Sequence, residues 1–193
     1  MAGGGIIGGL AGPSLNVMFN SEIVTRDAMA KTDSFFIRGK IAYNGSTYAE
    51  TTIALGSFVD ALGKSVLRVH NVDVEWNSGG FQLTPAANTD YASKFQLTTQ
   101  SQTAILGVDN KSVIASGHLS AGSDANSVMQ MINESVDVGP QHWRNGYLVG
   151  VESIYLGVDQ NADFGMVACA IVLECTVETL TEKASMALAL SQQ

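Results

Sequence analysis

Residues Gly146 to Thr181 read GYLVGVESIYLGVDQNADFGMVACAIVLECTVETLT, and their apolar pattern decides the fold class. The stretch reads as a final pair of strands, Tyr147 to Val158 and Met166 to Thr181. In the second, Val167, Cys169, Ile171, Leu173, Cys175 and Val177 all fall on odd positions. Side chains alternate faces along a strand, so this odd face is expected to be core along its length. The even positions begin small and apolar (Ala168, Ala170, Val172) and turn polar (Glu174, Thr176, Glu178). That predicts a face covered at one end and wet at the other. Sixteen extended residues would span on the order of 50 Å, more than an ordinary strand, so a bend, a bulge or a large sandwich is expected.

The composition fits an ordered domain rather than a disordered chain. Of 193 residues, 46% are hydrophobic and only 15% charged, enough apolar mass for one substantial core. The net charge is -8, and no two of the ten Lys and Arg residues are adjacent. A nucleic-acid surface needs a basic patch or arm, so no direct nucleic-acid binding is expected. Cys169 and Cys175 would lie roughly 20 Å apart on one straight strand, beyond disulfide reach, and are expected as free core thiols.

Three segments are expected: a flexible, glycine-rich N-terminal arm over residues 1–15, a β-sandwich domain over 16–181, and a C-terminal short helix or tail over 182–193. The arm, MAGGGIIGGLAGPSL, lacks a basic region and a sustained apolar core, so no secretory signal is read. Its Gly3, Gly5 and Gly8 match a dinucleotide-binding spacing, but no strand precedes them. Phe35 to Tyr43 alternates as a strand, and Asn44-Gly45 is a hairpin signal leading to a return strand over Thr47 to Leu55. Gly56 to Lys64 reads as a loop with a short turn. Ser65 to Trp76 is a strand whose apolar phase flips near His70-Asn71, the mark of a β-bulge. Further strands are expected at Phe81 to Thr84, Lys94 to Thr99, Ala104 to Val108 and Val113 to Leu119, with polar loop over Pro85 to Ser93. Ala121 to Ser135 reads as a short helix or a loop. Glu182 to Leu190 has helix-forming composition, with Thr181 as its cap. About eight strands separated by Gly, Asn and Asp turns indicate an all-β sandwich or barrel.

The sequence offers little catalytic chemistry. His70, His118 and His142 share no metal-binding spacing, and there is no G-x-S-x-G elbow, so no enzyme activity and no cofactor are expected. Asp73 and Glu75 share one face of a strand and are expected to face solvent. Asp159, Asn161 and Asp163 alternate oxygen ligands as a calcium loop does. Phe164 stands where that loop needs glycine and Ala170 where it needs a bidentate acid, so an EF-hand is excluded and an ordinary polar hairpin loop is the preferred reading. His142-Trp143-Arg144, in an expected loop over Asp137 to Asn145, reads either as a subunit contact or as a core Trp with polar flanks. Ile6, Ile7 and Leu10 in the N-terminal arm, and Met186 and Leu188 in the C-terminal tail, are apolar residues that suit burial by a neighbouring copy.

Leu55 to Trp76, Phe95 to Gly117 and Gly146 to Thr181 together resemble the single-jelly-roll coat proteins of icosahedral viruses, in strand-rich layout and size. The resemblance implies an eight-stranded jelly-roll β-sandwich with short helical turns and flexible termini. It further implies a structural role in the virion capsid: a self-assembling homo-oligomeric shell, made in the host cytoplasm, held by strand edges, loops and terminal arms. The missing basic arm departs from coat proteins that bind their genome, and suits a shell over an internal membrane or one whose genome is packaged by another protein; other coat subunits are further candidate partners. The alternative is a non-catalytic, lectin-like or adhesive binding module, calcium-dependent or not, which needs aromatic residues such as Trp76, Tyr91 or Trp143 on an exposed face.

Overall fold

A computed structural model describes residues 33–43, 46–60, 64–77, 86–131, 141–160 and 167–192. Outside them lie the N-terminal arm with Ile6, Ile7 and Leu10, the Asn44-Gly45 turn, the strand expected at 81–84, and both Asn161 and Asp163. The described residues form β1 (Phe35–Tyr43), β2 (Ala49–Ala54), β3 (Ser65–Asn77), β4 (Asp90–Thr98), β5 (Val113–Ser123), β6 (Met129–Met131), β7 (Gln141–Val149), β8 (Ser153–Gln160), β9 (Val167–Thr179) and one helix, α1 (Glu182–Ser191).

The protein is an all-β sandwich of two antiparallel sheets. One has the order β1-β9-β3-β7 and the other β2-β8-β4-β5-β6. The chain changes sheet at every connection except β4 to β5 and β5 to β6. Between the sheets lies one apolar cluster that includes Leu67, Val69, Val72, Phe95, Leu97, Leu156, Ile171 and Leu173. Trp76 closes it against Phe95, with ring centroids 6.1 Å apart in an edge-to-face arrangement.

Strand β9 carries the predicted alternation. Cys169, Ile171, Leu173 and Cys175 are buried on the odd side and Val177 is half-buried. On the even side Ala170, Val172, Glu174 and Glu178 are half-buried, but Ala168 and Thr176 are buried, so the polar end expected to be wet is partly covered. The phase flip in β3 is a real irregularity: its register with β9 shifts between Val69 and Asn71, at His70. On β1, Ile41 and Tyr43 are buried and Phe35 and Ile37 half-buried, while Arg38 and Lys40 face out, as the alternation requires.

Several connections differ from expectation. Tyr147 to Val158 is not one strand: it is the end of β7, a break at 150–152, and β8 in the opposite sheet. The strands β8 and β9 likewise sit in different sheets, so the loop between them is not a hairpin. The hairpin expected from Asn44-Gly45 does not form either. β1 pairs with β9 along nine residues and β2 pairs with β8, because the long apolar ladder of β9 binds the inward-facing β1 more fully than the short β2 could. Residues 104–108 are loop, held by side-chain hydrogen bonds rather than by a strand partner. Strand β4 begins at Asp90, inside the expected polar loop, since Tyr91 is core-facing and 4% exposed. Residues 121–131 finish β5 and form β6 instead of a helix; the Asp124 carboxylate accepts from the amides of Asn126 and Val128 and so turns the chain. Residues 141–145 are strand, not loop.

Both cysteines are free and buried, as expected. Burial pushes each thiol up to about 12. Neutral thiols buried in apolar surroundings are inert. Native protein at pH 8 should therefore take up no thiol reagent, and should react at both positions once unfolded in guanidinium. The linkage runs one way: with folded values raised, the contribution is intact below the unfolded value of about 8.5 and drains as pH rises toward about 12. The urea midpoint should accordingly fall as pH climbs from 8.5 to 11.

Candidate functional site

Among the described residues strand β7 is an edge of its sheet, and an edge exposes unpaired backbone groups to a partner chain. Its register with β3 steps from Val69↔Tyr147 to Asn71↔His142. Residues 143–146 of β7 therefore stand opposite His70 alone, and the edge bulges outward there. Gly146 permits this with a φ of +71°. A Cβ at Gly146 would come within 2.5 Å of Arg68 Cγ and 3.0 Å of the Val69 carbonyl. Arg68 pins the bulge: its Nη1 donates to the Asn145 carbonyl, while Nε and Nη2 donate to the Glu178 carboxylate at 2.5 and 2.7 Å. That two-point fork is stronger than a single charged contact, and it holds the guanidinium above its ordinary pKa. A cavity of about 440 Å³ opens beside it, lined by Arg68, His70, Arg144, Asn145 and Glu178. Substituting Gly146→Ala forces a Cβ into the left-handed region and onto Arg68, and should cost roughly 1–3 kcal/mol in urea unfolding.

The structure bears on the core reading of the His142-Trp143-Arg144 triplet. Trp143 is half-buried, packed on the core and 5.9 Å from the Tyr147 ring, while His142 and Arg144 are exposed on the bulged edge. The triplet is thus a core Trp with two polar flanks facing out from a strand that is an edge among the described residues.

Helix α1 begins where Thr181 Oγ1 accepts from the Ala184 amide, the predicted cap. It docks on the sandwich rather than standing away as a tail. Ser185 and Ala189 are buried, and Leu188 lies against Gly150, where a Cβ would meet its Cδ2 at 3.1 Å. Leu188 is therefore partly committed to its own chain, while Met186 and Leu190 remain exposed. Gln192 fastens the helix end: its Oε1 accepts from the Gly150 amide at 2.8 Å, its Nε2 donates to the Leu148 carbonyl at 2.7 Å, and its carbonyl accepts from Thr99 Oγ1 at 2.9 Å. Nothing in the sequence pattern singled out Gln192, since a polar residue at a chain end reads as solvated.

The outer face of the second sheet carries a polar network that sequence reasoning also missed. Glu50, Gly157 and Gln96 lie side by side on β2, β8 and β4. Tyr48 lies over Gly157, which has no side chain to displace it. Its hydroxyl donates to Glu50 Oε2 at 3.0 Å and accepts from Gln96 Nε2 at 3.0 Å. Burial pushes the Tyr48 phenol up to about 12, with the Gln96 amide opposing the shift and Glu50 adding to it. Toward the end of the same face, Asp159, Lys94 and His118 pair across β8, β4 and β5. They line a cavity of about 590 Å³ together with Ser46, Ile105 and Gln160.

The three histidines do not converge. His70, whose Nε2 is 3.0 Å from Thr176 Oγ1, and His142 belong to one sheet, and His118 to the other. Asp73 and Glu75 are exposed on β3, as expected. Of the calcium-loop residues only Asp159 is described, at the end of β8. Among the described residues no three His, Cys, Asp or Glu side chains group closely enough to hold a metal ion. Of the aromatic residues required by a lectin-like module, Tyr91 is buried, and Trp76 and Trp143 are half-buried against the core. No family model matches the chain, and no curated protein matches it.

Proposed function

We propose that this chain is a viral coat subunit that assembles with copies of itself into an icosahedral shell. The observation that carries this reading is the strand order. The orders β1-β9-β3-β7 and β2-β8-β4-β5-β6 support a single jelly roll, two Greek keys in which successive strands, apart from β4, β5 and β6, fall in opposite sheets. That architecture serves capsids and binding modules alike. The buried or half-buried state of Trp76, Tyr91 and Trp143 favours the capsid over the binding module. The open, bulged β7 edge, with His142 and Arg144 facing out, and the exposed Met186 and Leu190 on α1 supply lateral contact surface. In this reading the subunit resides in the virion, has no cofactor, and leaves genome contact to another component, a membrane or a second coat protein.

The test is sedimentation of the purified full chain over a range of salt and pH, followed by electron microscopy. Closed shells or lattice fragments of many copies are the expected outcome. A monomer or dimer at high concentration under every condition would overturn the reading.

A further inference from the structure

The outer face of the β1-β9-β3-β7 sheet sorts its charge by strand. Arg38, Val172 and Asp73 form one lateral row, and Lys40, Ala170 and Glu75 the next. The cations on β1 and the anions on β3 are all exposed, and Val172 and Ala170 are half-buried between them. Neighbouring strands are about 4.8 Å apart, so each cation stands two strand spacings, on the order of 10 Å, from the anion in its row. No ion pair joins them; the Arg38 guanidinium instead lies 5.9 Å from the ring of Phe36, itself 55% exposed on the same face. In these two rows the face is thus positive on β1, apolar on β9 and negative on β3; the next row, Phe36, Glu174 and Asn71, adds one half-buried carboxylate on β9.

A two-fold axis laid in the plane of contact along β9 exchanges left and right but keeps position along the strands. It sets the β1 of one copy over the β3 of the other. Arg38 then faces the second copy's acid of its own row and Lys40 does likewise, giving four attractive pairs, while Ala170 and Val172 meet their copies along the axis. At the next row Phe36 lies over Asn71, and Glu174 meets its own copy, one like-charge contact against the four pairs. Such self-complementarity is what an isologous interface requires. We infer that this sheet face binds a second copy of the chain, face to face, about a two-fold axis along β9. The inference stands whether or not the chain builds a shell.

Sedimentation equilibrium of the full chain, at concentrations below any shell formation, tests this with two charge-reversed variants. One carries Arg38→Glu and Lys40→Glu, the other Asp73→Lys and Glu75→Lys. Native protein should dimerise, more weakly as salt rises. Each variant alone faces like charge with like and should dimerise at least about tenfold less tightly. An equimolar mixture of the two should dimerise again, since the all-acidic face of one meets the all-basic face of the other. Unchanged melting midpoints show that the variants fold; if a reversal unsettles a strand, the neutral pair Arg38→Gln and Lys40→Gln should weaken dimers to a smaller degree. A monomeric native chain, variants that dimerise as tightly as native, or a mixture that fails to recover would each overturn the inference. Dimers that persist in a chain that never forms shells would count against the coat reading alone.

Discussion

Leu173→Ala should cost the fold about 2–5 kcal/mol, measured by urea unfolding, and lower the melting midpoint by roughly 10 °C. Leu173 is fully buried near the middle of β9. It stands opposite Ile37 on β1 and Val72 on β3, and its side chain belongs to the cluster between the sheets. Removing three carbons there loses their transfer free energy and leaves a cavity. The surrounding backbone cannot close it, because it is held by ladders on both sides. The control lies one residue away. Val172 is on the same strand but faces outward, half-buried, so Val172→Ala should cost under about 1 kcal/mol. Equal costs at the two positions would mean that β9 does not present alternate faces to core and solvent.

Period-two alternation was what made β1, β3 and β9 legible, and it located the bulge at His70, because a phase flip in an otherwise regular strand has few other causes. The same rule, followed further, also marks the break that was missed. Tyr147 and Val149 face the core on odd positions, whereas Ile154, Leu156 and Val158 face it on even ones. The change of parity is where the chain leaves one sheet for the other; an unbroken apolar run hid it. Sheet membership was less accessible. Asn44-Gly45 signals a reversal, but whether a reversal returns beside its own strand or crosses the sandwich depends on competition for partners distant in sequence. The bulge of β7 and the docking of α1 were hidden for a related reason. Both rest on polar side chains, Arg68 and Gln192, reaching backbone groups far along the chain. Such residues look like surface until the fold supplies their partners.

Gln96 is the sharpest instance, and the second large effect is expected there. It stands on β4 between the core residues Phe95 and Leu97, so alternation sends its side chain to the outer face, where a glutamine is ordinarily wet. Instead it is fully buried. The connection from β4 to β5 folds back over the sheet and uses Gln96 in place of a strand partner. The Leu106 amide donates to Oε1 at 2.7 Å, and Nε2 donates to the Ala104 carbonyl at 2.9 Å. Glu50 fixes the start of the same connection, accepting from Ser101 Oγ at 2.8 Å and the Gln102 amide at 2.9 Å. Gln96→Leu keeps the volume but leaves the Leu106 amide and the Ala104 carbonyl without partners, at about 1–3 kcal/mol each, and takes the donor from the Tyr48 hydroxyl, which keeps its bond to Glu50. The total should be about 2–5 kcal/mol, concentrated in the connection rather than the ladders. Hydrogen exchange separates the two: the Leu106 amide should lose protection far more than the amides of β8 and β9. Ser101→Ala removes one bond to a carboxylate that keeps its others, and should cost under about 1 kcal/mol. If Leu106 stays protected in the Gln96→Leu chain, the connection is held by apolar contact at Ile105 and Leu106. The carboxamide would then be incidental to the covering of this face.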